Sequence, residues 1–109
     1  MSQIKVLYVT CDSEQEADTI ARALVAERLV ACANIIAGMR SLYRWEGKVI
    51  SGAETILLLK TATHQVAPAT DRILSLHSAK CPCVVALDVG PGSAAFLRWV
   101  EEEVEGSSQ

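Results

Sequence analysis

Residues Ser41–Lys60 read "SLYRWEGKVISGAETILLLK". Apolar and polar residues alternate into Trp45-Glu46-Gly47-Lys48 and alternate again beyond it. Alternation of period two marks a strand with one face buried. A glycine at the reversal supplies the positive backbone angle that a tight hairpin needs. The stretch is therefore a long β-hairpin. Ile56-Leu57-Leu58-Leu59 is a continuous apolar run, so the returning strand is expected at the centre of a sheet. The tip carries Leu42, Tyr43, Trp45 and Val49, which are costly to leave in water. Two readings follow. The hairpin folds its aromatic residues back on its own domain, or it reaches a neighbouring copy and extends that copy's sheet, with the aromatic side chains as anchors. The second also removes open strand edges by cyclic closure, and it is the one adopted.

Working outward, "IKVLYVT" (4–10) is rich in β-branched and aromatic residues and reads as a strand. "CDSEQEADTIARALVAERL" (11–29) reads as a helix. Ser13 with Glu16 forms a capping box, Ala17, Ile20, Ala21, Leu24 and Val25 form an apolar stripe, and Arg28 suits the negative end of the helix dipole. "VACANIIAGMRSLYRW" (30–45) is the outgoing strand of the hairpin, with a bulge expected at Ala37-Gly38. "TATHQVAPATDRILSLH" (61–77) is a second helix capped by Thr61 or Thr63, with Pro68 near its first turn and Val66, Ile73, Leu74 and His77 close to one face. "CPCVVALDV" (81–89) is a last strand. Ser93 caps a third helix with a stripe of Phe96, Leu97 and Val100, and "EGSSQ" is expected to fray. The order βαββαβα defines an α+β fold, the ferredoxin-like split βαβ with an extra C-terminal helix, in one domain spanning 1–109. Right-handed crossovers place the first two helices on one face of an antiparallel sheet. The other face needs cover from the last helix or from another subunit.

Half of the 109 residues are apolar, but only two Trp, two Tyr and one Phe are present, so the core is aliphatic. Ten basic and 13 acidic residues leave a net charge of −3 with no basic run, which argues against nucleic-acid binding. No signal peptide and no apolar stretch near the ~20 residues of a membrane span are visible, so a cytoplasmic protein without membrane insertion is expected. Cys11, Cys32, Cys81 and Cys83 are then expected as free thiols.

The block "AERLVACANIIAGMRSLYRWEGKVISGAETILLLKT" (26–61) closely resembles the central part of the CutA family, the divalent-cation tolerance proteins. The features shared are Glu27-Arg28-Leu29-Val30-Ala31-Cys32, Asn34-Ile35-Ile36, Ser41-Leu42-Tyr43, Trp45-Glu46-Gly47-Lys48, Glu54 and Lys60-Thr61, and "FLRWVEE" (96–102) also fits. The resemblance implies a ferredoxin-like fold, a homotrimer built through the hairpin strands, and a role in the response to copper and other divalent metal ions. It supplies no biochemical mechanism. The chain departs from the family pattern after the second helix. Ser78 stands where Pro is usual, Ala79 where Tyr is usual and Cys83 where Glu is usual, while His77 and Pro82 keep their places.

Two constellations carry candidate chemistry. His77, Cys81 and Cys83 are an imidazole and two thiols suited to Cu(I) or Zn(II), with Cys81 and Cys83 on one face if they lie in an extended strand. Cys11 joins them if its strand ends nearby, and Cys32 is expected to be buried and inert. The plainer reading is small-volume packing, with His77 capping its helix. Lys60, Glu54, Tyr43 and Trp45 form either a cleft for a small anionic ligand between subunits, with Lys60 as the charge and an aromatic wall, or a structural ion pair that sets subunit register. No nucleophile elbow, phosphate loop or calcium loop is present. The expected function is a non-enzymatic homotrimer linked to divalent metal tolerance. It requires no cofactor and is able to bind copper or another divalent metal. The alternative is a trimeric small-molecule or nucleotide sensor similar to the PII-like proteins. An acylphosphatase-like hydrolase fits poorly, because no arginine-bearing anion loop precedes the first helix.

Overall fold

The computed structural model describes residues 3–105. The fraying expected for "EGSSQ" falls almost wholly on 106–109, outside the described residues. The elements are β1 (Ile4–Cys11), α1 (Glu14–Ala26), β2 (Cys32–Trp45), β3 (Lys48–Ala62), a 3-10 turn (Thr63–Gln65), α2 (Val66–Leu76), β4 (Val84–Asp88) and α3 (Ala94–Glu105). The sheet order is β2-β3-β1-β4 and every pairing is antiparallel. This is the ferredoxin-like arrangement, with β3 central as its apolar run requires.

The hairpin turns as its sequence demands. Trp45 pairs with Lys48 around Glu46 at φ 50° and Gly47 at φ 81°, both in the left-handed region. Two-residue turns of this twist match the right-handed twist of the flanking strands. A Cβ at Gly47 meets no neighbouring atom but is strained by the backbone angle. Gly47→Ala is therefore expected to lower stability by about 1–2 kcal/mol, read as a shift in the urea midpoint. The register shifts between Ile36 and Met39, where Gly38 adopts φ 81°. The bulge thus falls where Ala37-Gly38 predicts it. It returns Met39, opposite Glu54, to the face that carries Ile36 and Ile56.

Strand β1 pairs with β3 only from Thr55 to Ala62. The outer half of the hairpin has no third strand, and it stretches the molecule to 44 Å against 28 and 21 Å in the other directions. Leu42 and Val49 are 68% and 69% exposed there, with Tyr43 and Trp45 also exposed.

Alternation along β1 and β3 sends Leu7, Val9, Cys11, Leu57 and Leu59 to one face, against Ala17, Ile20 and Leu24 of α1 and Ala69 and Ile73 of α2. On the opposite face α3 covers one end only, with Val100 and Val104 packed on Ile4, Ala31 and Ala62. Ile36, Val85 and Leu87 remain exposed on that face. The last helix is therefore not the cover that this surface needs.

Several local expectations are corrected. Ser13 Oγ accepts the Glu16 N–H at 3.1 Å as predicted, but the Glu16 carboxylate reaches back one residue further, to the Asp12 N–H. Val25 is exposed, so the stripe of α1 is narrower than its spacing suggests. Arg28, at φ 60°, leaves its own helix and donates to the carbonyls of Glu103 (2.7 Å) and Glu102 (3.3 Å). It offsets the dipole of α3 instead of that of α1. Neither Thr61 nor Thr63 caps α2. Their hydroxyls donate to the Leu29 and Gln3 carbonyls, because the 3-10 turn moves the helix start to Val66. Leu74 faces solvent while Ile73 is buried. Ser93 does cap α3. Phe96, however, points outward and lies 5.8 Å from Trp99, since the buried row of α3 is Val100 and Val104. Cys32 is half-buried, because the edge strand that carries it has no neighbour on one side.

Candidate functional site

The end of β1, the start of α1 and the end of α2 converge. There the ligand atoms of Cys11, Glu16 and His77 all lie within 4.8 Å of one another. Among the described residues this is the one triple of His, Cys, Asp or Glu groups spaced to hold a metal ion. Its hydrogen bonds show how it is used. His77 Nε2 lies 2.7 Å from the Thr10 carbonyl, which can only accept, so Nε2 carries the proton. The lone pair of Nδ1 then receives the Ala79 N–H at 3.1 Å. Glu16 Oε1 accepts from the Asp12 N–H (3.2 Å) and Oε2 from the Ser78 N–H (2.8 Å). Both imidazole nitrogens are engaged, and the cluster ties the loop at 77–79 to the end of β1 and the start of α1.

Cys11 is fully buried, and its thiol is pushed from 9.0 up to about 11, first by burial and then by the negative charges of Glu16, Asp12 and Glu54. A thiol that is harder to ionise when folded adds stability in full below pH 9. That part is lost as pH rises toward 11, because only the unfolded chain sheds its proton in that interval. Unfolding midpoints measured from pH 8 to 11 should fall, and Cys11→Ala should flatten the decline. For Glu16, burial opposes ionisation. The hydrogen bonds from Ser78 and Asp12 outweigh it and hold the carboxyl below its usual 4.5. Its contribution is present above that value and fades as pH falls through the lower folded value.

Beside this cluster a cleft of about 760 Å³ opens on the exposed sheet face. Tyr8, Met39, Tyr43, Trp45 and Glu54 form its sheet wall, and Ala79, Lys80, Cys81, Pro82 and Cys83 form the facing loop. His77 reaches its edge. Cys81 and Cys83 are exposed and unbridged, but they precede β4 and are not part of a strand. The shared face expected from strand alternation is therefore replaced by a shared loop, because Pro82 and the bend at Cys81 delay pairing until Val84. Alkylation with iodoacetamide at neutral pH should modify Cys81 and Cys83 within minutes and leave Cys11 unmodified under native conditions, as read by peptide mass mapping.

Of the four residues assigned to an anion cleft, Tyr43, Trp45 and Glu54 line this cavity and Lys60 does not. Lys60 stands opposite Cys32 and donates to Asn34 Oδ1. Six residues of extended strand separate it from Glu54, about 20 Å, so no ion pair joins them within one chain. Arg40 and Lys80 supply cations near the cavity instead, against Asp12 and Glu54. Sequence reasoning missed Glu16 as a member of the histidine cluster, since its capping role absorbed it. Met39 it passed over as an ordinary strand residue.

A four-stranded antiparallel sheet in this order, with a protruding hairpin and a thiol-lined cleft at its base, defines a small ferredoxin-like α+β protein. The chain belongs to the CutA1 divalent ion tolerance protein family, whose model matches residues 5–103. It is 44% identical over 98 residues to the divalent-cation tolerance protein CutA of Thermus thermophilus, covering 90% of this chain and 95% of that one. It is 37% identical over 105 residues to the human protein CutA, covering 96% of this chain and 59% of the human protein's length. The crystal structure of CutA from Xylella fastidiosa superposes with a TM-score of 0.92 at 36% identity, over 94% of this chain and 99% of that one. Among the described residues, no helix is long and apolar enough to cross a membrane.

Proposed function

We propose that this protein is a non-enzymatic homotrimer that serves tolerance of divalent metal ions and binds copper or a similar thiophilic ion at the Cys81-Pro82-Cys83 loop. The observation that carries the metal reading is the pair of exposed, unbridged thiols in one cleft. Thiolates are the ligands that soft and borderline metals prefer. His77, the third donor expected from the sequence, joins only if it gives up its bond to Ala79 or Thr10. The trimer reading rests on the exposed apolar hairpin and the uncovered sheet face, which three copies would shelter together. Four free thiols suit a reducing, cytoplasmic setting.

The test is metal analysis of protein purified under reducing conditions without a metal-affinity tag. Copper or zinc should co-purify with the wild type and be lost from the Cys81→Ser/Cys83→Ser variant. Metal-free wild-type protein that also takes up none on titration contradicts the proposal. A second reading, a small-molecule sensor, is favoured by the size of the cleft and its aromatic wall of Tyr8, Tyr43 and Trp45. Saturable nucleotide binding by calorimetry, lost in Trp45→Ala, would promote it over the first.

A further inference from the structure

We propose that the cleft selects a monovalent d10 ion, Cu(I), over divalent ions, and that Cys81, Cys83 and Met39 form its sulfur site. This rests on the metal-binding reading above and names the ion and the third ligand.

Three observations carry it. First, the donors of a divalent site do not converge here. Tetrahedral zinc takes three or four ligands from thiolate, imidazole and carboxylate. Among the described residues the one triple of such groups within reach of a common ion is Cys11, Glu16 and His77, and its imidazole is fully hydrogen-bonded. The cleft itself offers two thiols with no third such donor at ligating distance, which is a low-coordinate arrangement. Second, the remaining donor in the cleft is soft. Met39 lines the same cavity, and its sulfur accepts the Tyr8 hydroxyl at 3.6 Å. That contact holds the thioether toward the cleft and leaves its second lone pair unused. Thiolate suits Cu(I) and zinc alike, but zinc is held by thiolate, imidazole and carboxylate, so a thioether as the third donor favours Cu(I). Third, a cation adjoins the thiols. Two thiolates and one Cu(I) carry a net charge of −1, and Lys80, next to Cys81 in the chain, lines the same cavity, where Arg40 stands with Asp12 and Glu54. Pro82 between the cysteines restricts the backbone, so less freedom is lost when both sulfurs bind one ion.

On binding, two S–H bonds break, two protons pass to solvent and two S–Cu bonds form. The copper keeps its oxidation state, and the thioether adds a dative bond without proton release.

The test uses the full reduced chain under anaerobic conditions, titrated with Cu(I) against bathocuproine disulfonate, a chromogenic Cu(I) chelator, and separately with Zn(II) against a zinc indicator. One Cu(I) should be retained per chain, with copper X-ray absorption showing sulfur neighbours and no nitrogen. Cys81→Ser and Cys83→Ser should each weaken retention by more than the roughly tenfold that loss of an outer-sphere contact brings, and Met39→Leu should weaken it by about that factor. These exposed or half-buried changes leave the fold intact, as circular dichroism would verify. Zn(II) bound as tightly as Cu(I) through the same cysteines overturns the selectivity and leaves the metal-binding reading standing. Cu(I) affinity unchanged in both cysteine variants overturns the site. A wild type that retains neither ion overturns both readings.

Discussion

Tyr43→Asp with Trp45→Asp is expected to convert a species of three times the 11.7 kDa chain mass into single chains, with the β signal of circular dichroism retained. The outer hairpin pairs with no third strand, so its backbone edge on β2 is open. Its apolar side chains, Leu42, Tyr43, Trp45 and Val49, stand in water in the isolated chain. An open edge next to exposed aromatic residues is a template for another chain. Carboxylates placed at such a contact would have to be desolvated without partners, a penalty of several kcal/mol per ion, enough to dissociate most assemblies. Both substituted positions are already exposed in the single chain, so its own core is untouched. Multi-angle light scattering on micromolar protein decides the matter. A wild type that runs as a single chain contradicts the proposed assembly, and an unchanged mass in the double variant removes these two side chains from it.

His77→Ala is expected to have the largest effect on the stability of the chain itself. The imidazole bridges the Thr10 carbonyl on β1 and the Ala79 N–H in the cleft loop. Its loss strands the Thr10 carbonyl in a half-buried site, at about 1–3 kcal/mol when unsatisfied, while the exposed Ala79 N–H turns to water, so a total of about 1–3 kcal/mol is expected. The imidazole also lies within 4.8 Å of the buried Cys11 sulfur, which should become reactive to iodoacetamide in the variant while Cys11 in the wild type stays protected. Urea unfolding with parallel thiol mapping reads both. By contrast, Cys81→Ser should change stability by less than about 0.5 kcal/mol, as expected of an exposed loop position. A His77→Ala protein as stable as the wild type, with Cys11 still protected, would mean that the hydrogen-bonded cluster does not hold the loop.

The sites were legible in the sequence only in part. Cys81, Cys83 and His77 were identifiable by donor type, and they do gather around one cleft. The expected mode of convergence, two cysteines on one strand face, was wrong because Pro82 keeps the segment out of the sheet until Val84. Lys60 and Glu54 were read as partners across a subunit boundary, and within one chain the extended backbone of β3 holds them apart. Glu16 and Met39 gave no separate signal. One was accounted for by a cap and the other by strand alternation, and both acquire their roles from segments remote in the chain, Ser78 and Tyr8.

The amino-acid sequence alone determined the element order, the left-handed hairpin turn at Glu46-Gly47, the bulge at Ala37-Gly38 and the apolar faces of α1 and β3. Each of these is set by interactions within a few residues: backbone sterics, capping and side-chain periodicity. Only the tertiary structure decided that Arg28 serves α3, that both nitrogens of His77 are hydrogen-bonded, and that Met39 lines the same cleft as the two exposed thiols. Those outcomes depend on which distant groups the β2-β3-β1-β4 sheet order brings within hydrogen-bond reach, a distance that local propensity does not encode.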